Sequence, residues 1–269
     1  MLTKAILTSL WPRCERSCPG LIDGVLASQD RVLNKYGLTS NLVLAHFMAQ
    51  VSHEFGAGHD MVENLSYSAQ RMTEVWPSRF HSIAEAEPYA HNPRALGNRV
   101  YNGRMGNRVG TDDGYNFRGR GGSQTTGREA YEKLGKIVGL DLINHPEYLS
   151  SPEHFLECSA ADFVMCGCLP YAQRDDIYNV TQHLNGGQIG AAERREWLHK
   201  WKVALANSPA VAPAVAAAPL AKPAEPLQQP APTPAPPAPP AAAQPAAAAT
   251  PASDGWLSAF LTALGFKRP

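Results

Sequence analysis

The chain has 269 residues, with 24 Lys or Arg balanced by 24 Asp or Glu, so no large basic field points to nucleic acid. Residues 208–253 are almost wholly Ala and Pro, with no aromatic residue and only Lys222 and Glu225 charged, which excludes a packed core there and predicts an extended linker. The remaining 1–207 segment is long enough for one domain with a substantial core, and no run of about 18 strongly apolar residues predicts a membrane span.

The chain opens on MLTKAILTSLWPRCERSCPG, where Lys4 precedes apolar residues as in a secretory leader. Its apolar stretch, AILTSLW, is short for a leader, and charged RCER follows where a small-residue cleavage site is expected. The segment therefore reads as the first helix of the domain. The five cysteines include Cys14 with Cys18 and the close pair Cys166 and Cys168, but no repeated C-x-x-C. An odd count at this spacing reads as buried or free thiols rather than a disulfide framework.

Apolar residues then recur at three-to-four spacing, which predicts helices. LIDGVLASQDRVLNKYG carries Leu21, Ile22, Val25, Leu26, Val32 and Leu33 and stops at Gly37. TSNLVLAHFMAQVSHEFG has Thr39 or Ser40 as N-cap, Leu42 to Val51 as its buried body and Gly56 as its stop. A short helix through Met72, Val75 and Trp76 is closed by Pro77. Residues 97–122 are crowded with Gly and Asn and are expected to be loop, with at most a short hairpin. Helices resume in GREAYEKLGKIVG, SPEHFLECSAADFVMCGCL, IYNVTQHLNGG and AAERREWLHKWKVALA. The fold class expected is mainly α, a helical domain around a groove rich in Gly, Asn and Arg. Residues 254–269 predict a short amphipathic helix whose stripe of Trp256, Leu257, Phe260, Leu261 and Leu264 needs a membrane surface or a protein partner to bury it.

HEFGAGH, residues 53–59, invites a metal reading. The H-E-x-x-H pattern needs its second histidine four positions on, where this chain has Ala57, and His59 lies roughly 240° around the helix from His53. No metal or cofactor is therefore expected. Glu54 instead projects from the last turn of a buried helix, and Glu63 follows nine residues later across a glycine-broken end. Glycosidic cleavage calls for two carboxyl groups, one protonating the leaving oxygen and one activating water or attacking the sugar. A gap of roughly 6.5–9.5 Å between them admits a water and gives inversion, whereas about 5–5.5 Å gives retention.

The ordered segments AHFMAQVSHEFGAG, ENLSYSAQRM, LGNRVYNGRMGN, DGYNFRGRGGSQTTGREAYEKLG and VTQHLNGG resemble glycoside hydrolase family 19, in particular its phage and bacterial endolysin branch. The resemblance covers about residues 1–205. It implies a lysozyme-like fold in two lobes and an inverting mechanism, with Glu54 as general acid, Glu63 as general base and Thr126 helping to hold the attacking water. Gln124, Tyr101, Asn102 and Asn185 match sugar-binding positions, and Arg118 and Arg120 line the same segment, where they are expected to orient carboxylates. The chain departs from the family where bulky apolar residues are usual around the glutamine, reading Gly122, Ser123 and Thr125.

The function expected is hydrolysis of β-1,4 bonds between N-acetylated amino sugars of peptidoglycan by a monomer whose partners are glycan strands. The alternatives are a chitinase, and a catalytically degenerate wall-binding or secreted effector. Synthesis in the cytoplasm and action in the periplasm or cell wall after release follow from the family and from the weak leader. The domain boundaries expected are 1–207 for the catalytic domain, 208–253 for the linker and 254–269 for the terminal helix.

Overall fold

A computed structural model describes residues 1–206 and Ser208; the expected linker beyond that serine and the C-terminal helix lie outside the described residues. Among the described residues the fold is helical, with thirteen α-helices, two 3-10 turns and only isolated β-bridges. In chain order these are α1 (Lys4–Leu10), α2 (Cys14–Ser17), α3 (Leu21–Lys35), α4 (Asn41–Glu54), α5 (Ala69–Val75), α6 (Ile83–Ala86), α7 (Pro93–Tyr101), α8 (Asp113–Asn116), α9 (Arg128–Val138), α10 (Phe155–Met165), α11 (Leu169–Gln173), α12 (Ile177–Asn185) and α13 (Ala191–Leu205).

The helices gather around two cores. The larger joins α1 to α4 with α9 to α13, and the smaller is built from Leu65, Met72, Trp76, Phe80, Leu96, Val100 and Tyr101 on α5 to α7 and their flanks. The chain leaves the large lobe at the end of α4, builds the small lobe and returns through residues 117–131. A cleft between two cores is where such a fold places its ligands.

The first helix packs as expected: Leu7 and Trp11 are fully buried in the large core. All five cysteines are free, and four of them are buried. None of the described helices is long and apolar enough to cross a membrane.

The loop expected over residues 97–122 is only partly loop. Asn92 caps α7 by accepting from the Ala95 N–H at 3.2 Å, and Pro93 fits the first helical turn. Gly97, which lowered the helical signal, sits inside α7 because the small lobe is tight there: a Cβ would lie 3.0 Å from Leu65 Cδ1 and 3.1 Å from the Tyr115 backbone. The glycine marks a close approach of two elements, not a break.

Candidate active site

Glu54 is the last residue of α4. Ser40 caps that helix by accepting from Val43 N–H at 3.2 Å, and every residue from Val43 to Ser52 is buried. A helix buried on all sides is held by its neighbours along its whole length. Its final turn is clamped as well, because the Trp11 and Trp201 indole N–H groups both donate to Ser52 Oγ at 2.8 Å. Phe55 packs edge-on against Trp11 at 4.8 Å, and Gly56 then ends the helix in the left-handed region at φ +64°. Glu54 thus projects from a rigid base.

Its carboxylate pairs with Arg194 of α13, which also donates to Gln50 Oε1 one turn earlier on α4. Arg194 has no exposed surface, and the Glu54 side chain is 4% exposed. Gly190, just before α13, makes the approach possible: a Cβ there would run into the His53 imidazole. Arg194 holds Oε1 of Glu54, and among the described residues no hydrogen bond is made to Oε2.

Glu63 stands where the chain enters the small lobe. Val62 bridges to Arg120, which bridges in turn to Thr125, and the Glu63 N–H donates to Gly119 O at 2.8 Å. The side chain is also held: Tyr101 O–H donates to Oε1 at 2.7 Å and Gly119 N–H to Oε2 at 3.1 Å. Burial pushes the Glu63 pKa up to about 7, against the opposing pull of the Tyr101 and Gly119 hydrogen bonds and of the Arg118 and Arg120 charges.

Gly119 shows what surrounds this carboxyl group. A Cβ there would lie 2.9 Å from Gln124 Oε1, 3.4 Å from Thr126 Oγ1 and 3.5 Å from Glu63 Cβ. An amide oxygen, a hydroxyl and a carboxylic acid therefore ring a single glycine. The Gln124 amide nitrogen anchors the turn on Asp60 O at 2.8 Å, and the Thr126 hydroxyl donates to Gln124 O at 2.8 Å. Thr125 points away from this ring to Asp162 on α10, at 3.2 Å.

The other expected site residues are placed as follows. Tyr101 is fully buried with its hydroxyl on Glu63, so its place is behind the carboxyl group rather than on an open wall. Asn102 accepts from Gly114 N–H at 2.8 Å and donates to Thr111 O at 2.7 Å, pinning the 102–114 loop. Asn185 ends α12, buried, with its amide 3.4 Å from Ile189 O. Arg118 stacks over the Tyr115 ring at 4.0 Å and acts on Glu63 as a charge at a distance, without a hydrogen bond to it. Arg120 is buried and donates to Tyr131 Oη at 3.0 Å.

Arg194 is not among the expected site residues, because nothing local in ERREWLHKWK separates one inward-facing arginine from its charged neighbours. A signal lies in the longer spacing: Arg194 precedes Leu198, Trp201 and Leu205 on the one buried face of α13.

Glu63 makes a testable contribution to stability. Its folded pKa of about 7 exceeds the ordinary 4.5, so between these values the native state binds more protons than the unfolded chain. Stability from this group is therefore present below about pH 4.5 and is lost as pH rises through about 7. Glu63→Gln is expected to flatten the fall in Tm across that window and to raise Tm at pH 8. Calorimetry of both proteins from pH 4 to 8 checks this; parallel profiles would contradict it.

No family model matches the chain. A glycosyl hydrolase family 19 domain-containing protein of Haemophilus influenzae is 31% identical over 178 residues, covering 65% of this chain and 86% of that protein. The chain belongs to glycoside hydrolase family 19. It is thus an enzyme of the glycosidase type. A mutant of a chitinase C superposes with a TM-score of 0.50 at 15% identity, over 77% of this chain and 93% of that one. Chitinase C from Streptomyces griseus gives 0.48 at 15% identity over 76% and 92%. At that identity the first likeness speaks for the fold alone, and it agrees with the mainly helical family 19 architecture described above.

Proposed function

We propose that this family 19 enzyme hydrolyses β-1,4 bonds between the N-acetylated amino sugars of peptidoglycan by inversion, with Glu54 as general acid and Glu63 as general base. The observation that carries this reading is the ring of Glu63, Gln124 and Thr126 around Gly119, joined through residues 56–62 to a second carboxyl group on a rigid helix end. A base works best with a pKa near the operating pH, and Glu63 at about 7 meets that condition. Its ionised form takes a proton from water held by the Thr126 hydroxyl, which can both donate and accept. Glu54 gives its proton to the leaving oxygen, and Arg194 meets the negative charge that remains.

Tyr101 tunes the base. Its O–H favours the ionised form of Glu63, so Tyr101→Phe is expected to move the acid limb of the kcat/KM pH profile upward, with a larger loss at pH 6 than at pH 8. A limb that stays in place would contradict this role.

The second reading is a chitinase, the activity that names the solved proteins of similar fold. Digestion of purified murein and of chitin oligomers side by side, with reducing-end assay and mass spectrometry of products, separates the two. New reducing ends on murein, released as disaccharide muropeptides, support the peptidoglycan reading. Cleavage of chitin alone replaces it, and binding without cleavage of either returns the chain to a wall-binding role.

A further inference from the structure

Beneath the turn that carries Gln124 and Thr126 lies a buried carboxyl group with no part in the reaction as drawn. Asp162, on α10, is 8% exposed. Its Oδ2 accepts from Thr125 Oγ1 at 3.2 Å, the Ser123 hydroxyl also bonds to it, and Cys166 Sγ lies 3.8 Å from Oδ1. The turn rests directly on the helix at this point. At Gly122 a Cβ would lie 2.9 Å from the Phe155 ring and run into the Ser159 hydroxyl, and at Gly121 it would lie 2.6 Å from Leu149 O. No larger side chain fits between turn and helix there, so hydroxyls on a carboxyl group make the contact that apolar packing makes elsewhere.

The hold on Thr125 reaches the catalytic carboxyl group in two steps. Thr125 exchanges both backbone hydrogen bonds with Arg120, at 3.0 and 3.2 Å, and Arg120 bridges to Val62, the neighbour of Glu63. Gln124 sits between these contacts at φ +50°, a conformation that is strained for a side-chain-bearing residue and persists only when its surroundings impose it. Burial pushes Asp162 up to about 6, and the neighbouring Glu54 carboxylate adds to the rise, which places Asp162 within electrostatic reach of the second catalytic group too.

We propose that Asp162 is a positioning residue, holding the 123–126 turn from below so that the Gln124 amide oxygen and the Thr126 hydroxyl meet Glu63 in register. This rests on the glycosidase reading of the Glu54 and Glu63 site. The substrate and the reacting atoms never touch Asp162; Thr125 and Ser123 transmit its effect.

The test uses the full chain and four variants: Thr125→Val, Thr125→Ser, Asp162→Asn and the Thr125→Val/Asp162→Asn double. Two quantities are read: kcat and KM on the polymer that the parent cleaves, and hydrogen exchange of the Gln124 and Thr125 amides. Removing either partner is expected to speed that exchange and to lower kcat roughly 10- to 100-fold with KM little changed, since misplacement of about 1 Å carries that cost. The double variant should lose no more than the worse single, and Thr125→Ser should restore parental values. Parental exchange rates, parental kcat despite faster exchange, or strictly additive losses would each overturn the proposal. A parent protein that cleaves no glycan would defeat the glycosidase reading separately. The exchange arm would then decide by itself: faster exchange supports the hold on the turn and parental exchange removes it.

Discussion

Glu54→Gln is expected to lower kcat by about 10²- to 10⁴-fold while the protein stays folded, because general acid catalysis by a placed side chain contributes on that scale. Gln retains the carbonyl oxygen that accepts from Arg194 but has no proton to give to the leaving oxygen. The helix end beneath it does not depend on the charge: Ser52 keeps both indole partners and Phe55 keeps its place against Trp11. Reducing-end assay checks the rate, and circular dichroism with a thermal melt checks the fold. Full activity in the variant would remove Glu54 from the mechanism.

Arg194→Ala is expected to have the largest effect on stability, a loss of about 3–5 kcal/mol, because it leaves two buried acceptors, Glu54 Oε1 and the Gln50 amide oxygen, without their donor at once. In a domain of this size that corresponds to a fall in Tm of roughly 10 °C. Activity should fall with it even in the protein that remains folded, since the charge that receives the spent Glu54 carboxylate is gone. The double variant Arg194→Met/Glu54→Gln should recover part of the stability and none of the activity, because replacing both partners leaves no uncompensated charge. Urea titration of the two variants decides the matter; a loss below about 1 kcal/mol in Arg194→Ala would show that the pair carries little stability.

How much of this was legible in the sequence depends on the kind of physics involved. Local rules found the ends of α3 and α4, since Ser40 as a cap and Gly37 and Gly56 as stops act through their own backbone neighbours. They did not find α7, where Gly97 is dictated by Leu65 and Tyr115, residues distant along the chain. The candidate site divides in the same way. Glu54 and Glu63 stand in recognisable segments, but what shapes their chemistry comes from elsewhere: Arg194 140 positions downstream and Tyr101 38 positions downstream.

Tyr101 illustrates the point. The phenol in VYNGR is expected in the groove as a sugar-binding position, and the structure instead buries it fully with its hydroxyl on Glu63. The departure from the family around Gln124 is visible in GSQTTG, but its cause lies in α10, far along the chain. Gly122 makes room for Phe155 and Ser159, and Thr125 turns its hydroxyl to Asp162. Thr126, one residue on, stands beside Glu63 because neighbours in an extended segment point to opposite sides.

The account assigns the acid to Glu54 and the base to Glu63, and an acid and base acting on opposite faces of the sugar fix the stereochemistry of the product. Proton NMR of the first reducing ends released, recorded before mutarotation, reads that stereochemistry directly. Glu54 as acid and Glu63 as base predict that the α-anomer appears first from the β-linked glycan. First appearance of the β-anomer would mean a double displacement through a glycosyl-enzyme intermediate, and would contradict the roles assigned to both residues.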